Sequence, residues 1–299
     1  MNELTPDHEI VFKSSKRAAC AESRLVLRAA GISAASVYQD GSWLLIVSRD
    51  DVVVATEELD AYRQENPDRP APRVTNTPLY GGAFLGVSIY AAVIMLVAVL
   101  NGYSAYGWEW LPAGRMQAGL VMAGQWWRTV TALTLHVDVG HISANLVFGS
   151  VFGLLAGRVL GGGVAWLAIV IAGALGNLIN AMVQPATHMS IGASTAVFAA
   201  LGVIIAHALR PRASVEEKPL KRWSPLIAGV VLLGFTGVGG ERTDVVAHLT
   251  GFLAGLLIGW AGSRLPNHWL ASTKVQVASG VAAVGIIALA WIFALAAAS

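Results

Sequence analysis

Charged residues and cysteines are scarce in this sequence. Only 13% of its 299 residues are charged and 55% are hydrophobic, whereas soluble domains carry about 25% charged residues. This composition predicts a membrane protein. The net charge of +2 is small, and no basic stretch is interleaved with aromatic residues, so a nucleic-acid partner is not expected. Cys20 is the only cysteine, which excludes an internal disulfide and leaves the redox compartment undefined.

A cleavable signal peptide is also lacking, because residues 1–9 are polar and acidic rather than basic and then apolar. We therefore expect the N-terminal part of the chain to stay in the cytoplasm. Residues 1–66 predict a small soluble α+β domain. This domain has no cluster of charged residues that would suggest catalysis, so a regulatory or partner-binding role is expected. The elements expected there are a strand at 10–12, a helix at 15–30, a hairpin of strands 35–38 and 43–47, a strand at 52–54 and a helix at 56–64. A proline-rich linker, residues 67–79, follows.

After the linker, seven apolar segments are long enough to cross a membrane, which requires about 20 residues for a hydrocarbon core of about 30 Å. They lie near residues 80–100, 142–160, 164–184, 192–210, 225–240, 245–262 and 275–298, and the fifth is short. The sequence therefore predicts an all-α polytopic membrane protein behind the soluble α+β domain. Lysine and arginine are concentrated on the same side as the N-terminus, which the positive-inside rule assigns to the cytoplasm.

Two reactive side chains are predicted near the outer ends of two spans. Ser194 opens the fourth span and His248 lies near the start of the sixth, and both spans run from outside to inside, so the two residues share one depth. Gly251 and Gly255 follow His248 at helical spacing and allow a close approach that brings the pair into hydrogen-bonding reach. A serine beside a neutral histidine is a nucleophile with its general base. The alternatives are structural: a small residue that permits close packing, and a histidine bonded to a backbone carbonyl.

A second polar cluster is expected at the same depth, at the start of the second span. His141 and Asn145 are four residues apart and so lie on one helix face. Their hydrogen-bond donors would form an oxyanion hole, which stabilises the negative charge on a carbonyl oxygen attacked by Ser194. Metal binding is the competing hypothesis, since His136, His141 and His248 offer three ligands. No HExxH motif is present, and no carboxylate lies beside these histidines within a span.

Together these residues resemble the rhomboid family of intramembrane serine proteases. The resemblance covers about residues 80–262, in the order of the family. Its motifs are Gly192-Ala193-Ser194 followed by Phe198-Ala199 and Gly202, Ala247-His248-Leu249-Thr250-Gly251 followed by Gly255, the spacing of His136, His141 and Asn145, and Trp127-Arg128. Each motif is weak alone, but four in register are specific. The resemblance implies a six-helix core at 80–262, with residues 263–299 supplying a loop and a seventh transmembrane helix.

The resemblance also implies roles in a reaction. Ser194 is expected as the nucleophile and His248 as the general base of a dyad without an acidic third member. Asn145, His141 and the backbone N–H of Ser194 are expected to form the oxyanion hole.

Other motif residues would support this site. Gly192 and Gly251 belong to the two motifs that carry the dyad. Phe198 stands where the family often has a tyrosine, so the resemblance implies packing against the catalytic ring without help from a hydroxyl. Trp127-Arg128 is expected to anchor the long outer segment at about 101–141.

The remaining polar groups of the membrane part are expected to be solvated or distant. Asp244 matches an acidic position that is frequent in the family, but its place in an outer loop favours solvation. His188, just before the fourth span, is expected in an outer loop, either near the site or solvated, and solvation is the favoured alternative. His207 and His268 are expected toward the inner face.

The predicted function is hydrolysis of a peptide bond in transmembrane protein substrates near the outer face, by an enzyme of the lipid bilayer without a cofactor or metal. A prokaryotic plasma membrane is the expected location, and the motifs indicate neither the substrate nor the oligomeric state. The alternative is a catalytically silent rhomboid-like protein that binds client proteins for quality control, which would not need both Ser194 and His248. A transporter would predict matched interrupted helices in two halves, and no such repeat is present.

Overall fold

The structure is a computed structural model in which residues 7–66, 78–210, 219–237 and 244–299 are described. The chain divides into two compact units, residues 1–74 and residues 75–299. Most of the predicted linker at 67–79 lies outside the described residues, so its assignment stays a prediction.

The first unit is a three-stranded antiparallel sheet with two helices. Its elements are, in chain order, β1 (His8–Ser14), α1 (Arg17–Ala29), β2 (Ala34–Gln39), β3 (Ser42–Ser48) and α2 (Val52–Glu65). β3 is the central strand, between β1 and β2. Alternate residues of a strand point to one face, and the core between sheet and helices contains Cys20, Leu27, Leu45, Val47 and Leu59.

The predicted hairpin is confirmed. β2 and β3 pair antiparallel, with Gln39 opposite Ser42. Asp40 and Gly41 form the turn and have φ angles of 50° and 73°. Two consecutive residues with positive φ give the turn the twist of the flanking strands, and glycine and aspartate are among the residues that tolerate this conformation.

The predicted strand at Val52–Val54 is wrong, because these residues form the first turn of α2. The preference of β-branched residues for strands is weak and depends on context. Asp50 and Asp51 precede the helix in a 3₁₀ turn, where negative charge favours a helix N-terminus. In the helix, Ala55 and Leu59 share the buried face, so the tertiary packing selects the helical conformation.

The second unit is helical. Its first part contains α3 (Ala83–Gly102), α4 (Trp110–Gly114), β4 (Met116–Gln117), α5 (Ala118–Met122) and α6 (Arg128–Thr131). It continues with α7 (Val139–Leu160), α8 (Gly162–Val183), β5 (Met189–Ser190), α9 (Ser194–Ala208), α10 (Pro219–Gly237), α11 (Val245–Gly262), α12 (Asn267–Leu270) and α13 (Thr273–Ala296). β4 and β5 pair antiparallel, which ties the segment before α9 to the segment between α3 and α7.

Among the described residues, five helices are long and apolar enough to cross a membrane: α3, α7, α8, α11 and α13. This confirms the prediction of a mostly helical membrane protein. α9 and the apolar part of α10, Trp223–Gly234, are shorter. Each of the seven predicted spans coincides with a helix, but the crossing of the membrane by α9 and α10 stays a prediction. The end of the fifth predicted span, at 238–240, lies outside the described residues.

α9 is almost entirely buried among α7, α8 and α11. Glycines line the crossing of α9 with α11. A Cβ on Gly251 would overlap the carbonyl oxygen of Thr195, and a Cβ on Gly255 would overlap that of Ala199. The two backbones therefore meet where the helical spacing of the glycines indicated.

Arg128 holds together the segment between α3 and α7. The residue is 9% exposed, and its Nη1 donates to the carbonyl oxygens of Pro112 at 3.0 Å and Arg115 at 2.8 Å. Its Nε donates to Oε1 of Gln125 at 2.6 Å. A buried guanidinium needs such acceptors because an unpaired buried charge is costly. These contacts agree with the anchoring role expected of Trp127-Arg128.

Two polar contacts fix α13 against the rest of the unit. Near its start, Oε1 of Gln276 accepts from the N–H of Gly163 at 2.9 Å, and Nε2 donates to the carbonyl of Leu160 at 3.0 Å. One side chain thus satisfies the end of α7 and the beginning of α8, where backbone groups lack helical partners. Near the other end, the indole N–H of Trp291 donates to Oγ1 of Thr134 at 3.1 Å.

Candidate active site

The backbone before α9 places Ser194 at the N-terminus of the helix. Gly192 has a φ of 123°, a conformation that favours glycine. A Cβ at this position would also lie 2.5 Å from Nε2 of His141, so only glycine lets the chain pass beside this imidazole ring. The N–H of Gly192 donates to the carbonyl of Ala132 at 2.9 Å, which fixes the turn that leads to Ser194.

His248 lies in the first turn of α11, and its Nε2 is 2.8 Å from Oγ of Ser194. His248 is 7% exposed. In the tautomer with a proton on Nδ1, the serine hydroxyl donates to Nε2, which is the arrangement that a nucleophile and a general base require. The structure thus brings together the two side chains that the sequence singled out, and their catalytic roles stay a prediction.

Phe198 packs against the imidazole of His248. The two ring centroids are 4.6 Å apart and the planes are inclined by 37°. Phe198 is one helical turn after Ser194 and is buried. It therefore restricts the orientation of the imidazole from the same helix that carries the serine.

His141 and Asn145 lie on the first two turns of α7, beside the turn that precedes Ser194. Asp138 caps this helix by accepting from the N–H of His141 at 2.8 Å. Asn145 is buried, and its amide donates to the carbonyl of His141 at 3.1 Å. An amide nitrogen carries two hydrogens, so one remains for an incoming oxygen. The imidazole of His141 lies beside the turn at Gly192, where its Nε2 occupies the space that a Cβ would need.

His136 packs behind the same turn. Its Nε2 is 3.5 Å from the backbone nitrogen of Ala193, and its ring lies 5.0 Å from that of His141 in an edge-on arrangement. Burial, together with the nearby His141, lowers the pKa of His136 to about 4. The sequence suggested this residue as a possible metal ligand. Within the described ranges, no three histidine, cysteine or acidic side chains are grouped so that they could hold a metal ion.

The predicted solvation of Asp244 and His188 is wrong. Nε2 of His188 is 2.8 Å from Oδ2 of Asp244, and the two side chains are 24% and 15% exposed. Asn180, in the last turns of α8, donates to the same oxygen at 2.8 Å. These residues are far apart in the sequence, so spacing alone did not reveal the contact. An asparagine within an apolar span was the available signal, because a buried amide needs a partner.

Asp244 is also the N-cap of α11, since its Oδ1 accepts from the N–H of Ala247 at 3.0 Å. Burial raises the pKa of this carboxyl. The hydrogen bonds from Ala247, His188 and Asn180 outweigh that effect and leave the pKa of Asp244 below its ordinary value. The group is therefore a carboxylate at neutral pH.

A cavity of about 740 Å³ lies between α3, α8 and α13. Ala193 and Ala196 contribute to its wall, but Ser194 and His248 do not. Most of its wall consists of apolar side chains. The cavity therefore lies beside the serine–histidine pair, which is not part of its wall.

Comparison with known proteins relates this helical chain to a protein family. Residues 123–265 match the model of the rhomboid domain. This range contains Ser194, His248, His141 and Asn145. The matched domain and the relatives below support the rhomboid family for this chain.

The chain is similar to relatives from several kinds of organism. Rhomboid-like protein 11, chloroplastic, of Arabidopsis thaliana is 30% identical over 152 residues, which are 48% of this chain and 54% of that protein. Putative rhomboid protease YdcA of Bacillus subtilis is 28% identical over 167 residues, 56% of this chain and 81% of the relative. Rhomboid-like protease 2 of Toxoplasma gondii is 30% identical over 179 residues, 58% and 62% of the two chains.

The match spans less than two thirds of the Arabidopsis and Toxoplasma relatives. Several relatives carry the word protease in their names, so proteolysis is an activity of the family. An integral membrane location follows from the family and the five apolar helices. Because the relatives come from a plant and from Toxoplasma as well as from a bacterium, the prokaryotic plasma membrane stays a prediction.

Proposed function

We propose that this protein is an intramembrane serine protease that hydrolyses a peptide bond of transmembrane protein substrates near the outer membrane face. The observation that carries the proposal is the distance of 2.8 Å between Oγ of Ser194 and Nε2 of His248, on two helices within the rhomboid domain. An ionisable side chain within a span is energetically costly, so its presence there points to a function. Packing alone does not require the pair to meet.

In this reaction His248 takes the hydroxyl proton of Ser194 while Oγ attacks the carbonyl carbon of the substrate. The resulting oxyanion accepts hydrogen bonds from the remaining N–H of Asn145, from His141 and from the backbone N–H of Ser194. His248 then gives its proton to the departing amine, which leaves an acyl-enzyme. Water, deprotonated by His248, attacks the ester, releases the new carboxyl terminus and restores Ser194.

The membrane topology is part of the proposal. The six helices α3, α7, α8, α9, α10 and α11 form the transmembrane core, α13 is the seventh span, and the N-terminus is cytoplasmic. The six-plus-one arrangement is what the resemblance to the rhomboid family implies. The distribution of basic residues favours the cytoplasmic N-terminus, which puts Ser194 and His248 toward the outer face. A substrate helix must unwind locally to present its carbonyl, so residues that weaken helices, such as glycine and proline, favour cleavage.

Substitution of the nucleophile tests the proposal. Purified Ser194→Ala and His248→Ala should lose cleavage of single-span substrates by at least about a thousandfold, because the pair acts as a unit. Ser143→Ala is the matched control, since Ser143 is exposed on α7, and it should cleave at the wild-type rate. Mass spectrometry of the products maps the cut.

Labelling with a fluorophosphonate provides an independent readout. It should modify the wild type and Ser143→Ala but not Ser194→Ala. Cleavage that persists in purified Ser194→Ala would remove Ser194 as the nucleophile. A wild-type protein that resists labelling and cleaves no substrate would instead support the catalytically silent, client-binding alternative.

A further inference from the structure

A cluster of three polar side chains joins the elements that carry Ser194 and His248. We call Asp244, His188 and Asn180 the polar bridge. Asp244 precedes α11, His188 lies in the segment between α8 and α9, and Asn180 is near the end of α8. Both hydrogen bonds of the bridge end on Oδ2 of Asp244, and each is 2.8 Å long.

The two oxygens of Asp244 have different partners. Oδ1 caps α11 through the N–H of Ala247, whereas Oδ2 reaches out to α8 and to the segment before α9. The backbone carbonyl of Asp244 also accepts from the N–H of His248 at 3.1 Å. The position of Asp244 therefore sets the position of the helical turn that carries the imidazole.

The other end of the bridge is tied to the serine. The carbonyl of His188 accepts from the N–H of Ala118 at 3.0 Å. The next residues form β5, in which Ser190 pairs with Met116 of β4. Ser194 follows His188 by six residues and is reached through the fixed turn at Gly192. A change in the position of His188 therefore shifts the backbone that positions Ser194.

We propose that the polar bridge sets the distance between Ser194 and His248, with Asp244 and His188 as positioning residues for the reaction. This inference rests on the proposed function. A carboxylate that accepts several hydrogen bonds while largely shielded from water makes strong and directional contacts. A displacement of about 1 Å in a reacting geometry costs up to about a hundredfold in rate. Loss of the contacts of Asp244 should therefore lower the turnover rate by displacing His248 from Ser194, although Asp244 does not touch the substrate.

Two substitutions separate the bridge from the helix cap. In Asp244→Asn, the side-chain oxygen still caps α11, because asparagine is as good an N-cap as aspartate, but the amide no longer accepts from His188 and Asn180. His188→Ala removes the donor on the other side. Each variant should lower kcat about 10- to 100-fold and leave KM within about twofold of wild type. The rate of fluorophosphonate labelling should fall in parallel, because it reports Ser194 without substrate docking.

A double-mutant cycle supplies the decisive comparison. If the bridge acts as one unit, the double variant His188→Ala/Asp244→Asn is no slower than Asp244→Asn alone. His188→Gln should recover most of kcat, because its amide donates to the carboxylate. His268→Ala, an exposed histidine of α12, is the control and should match wild type. Thermal unfolding in detergent verifies that each variant is folded.

Multiplicative losses in the double variant, losses confined to KM, or wild-type rates in folded Asp244→Asn would overturn the inference. These outcomes differ from a failure of the proposed function. Ser194→Ala, measured in the same assay, tests the nucleophile. If Ser194→Ala is inactive while the bridge variants react at the wild-type rate, the function stands and the inference about the bridge falls.

Discussion

Substitution of Gly251 by alanine should lower both stability and catalytic rate, because Gly251 lies at a close contact between α9 and α11, beside the serine–histidine pair. It is one turn after His248, and it faces Thr195, the neighbour of Ser194. A Cβ at this position would overlap the carbonyl oxygen of Thr195 and would lie 2.9 Å from its Cγ2 and 3.1 Å from its carbonyl carbon. The overlap is with backbone, which cannot rotate away, so the helices must separate.

The size of the effect follows from these distances. Ordinary contacts of a Cβ begin at 3.4 Å, and clearing the carbonyl oxygen requires a separation of about 1 Å, which corresponds to a loss of up to about a hundredfold in rate. Overpacking of this kind costs about 1–3 kcal/mol of stability. The same displacement carries His248 away from Ser194, so kcat and the rate of fluorophosphonate labelling should fall together.

Gly285→Ala in α13 is the matched control, since no atom lies within 4 Å of the Cβ it would introduce. It should leave the rates unchanged and, through helix propensity, stabilise by up to about 1 kcal/mol. The assay is turnover of a single-span substrate in detergent, combined with labelling and thermal unfolding of both variants. A Gly251→Ala protein with the turnover and labelling rates of wild type would refute the claim that this contact fixes the distance between serine and histidine.

Two further predictions concern stability. Gln276→Leu should lower the free energy of unfolding by about 1–3 kcal/mol, since it leaves backbone groups at the junction of α7 and α8 without a partner. Chemical denaturation measures this loss, and a turnover assay should show an unchanged kcat. The folded-state pKa of His136, about 4, lies below its ordinary value of 6.5, so the unfolded chain takes up this proton first as the pH falls. Stability should thus be full above about pH 6.5 and decline toward pH 4 by up to about 3 kcal/mol, and thermal unfolding of His136→Gln should show a flatter dependence.

The bundle was largely predictable because its signals are local. Apolar runs of about 20 residues and glycines at helical spacing depend on neighbours within one helix, and they indicated the helices and the approach of α11 to α9. The prediction of a strand at Val52–Val54 was wrong because it used a local residue preference alone. The packing of Ala55 and Leu59 on the sheet decided that this segment is helical.

The polar bridge was not predictable from spacing. Asp244 and His188 are 56 residues apart, and each has an ordinary solvated interpretation when it is considered alone. Their meeting depends on the length of β5 and on the angle at which α11 enters the bundle, and no local pattern encodes either. The apolar context of Asn180 carried a weak signal, because a fully buried amide must find a partner. That partner proved to be Asp244.

His248 lies between two constraints on α11: Asp244 four residues before it and Gly251 three residues after it. A helix that is held at one point can still tilt about that point, and the imidazole would then swing through a large arc. Fixing the helix on both sides of His248 removes this freedom, and the ring of Phe198 removes rotation of the side chain. General-base catalysis requires about 2.6–3.2 Å between heavy atoms, and the observed 2.8 Å lies within that interval. The contacts of Asp244, Gly251 and Phe198 thus hold His248 at the distance from Ser194 that the proposed reaction requires.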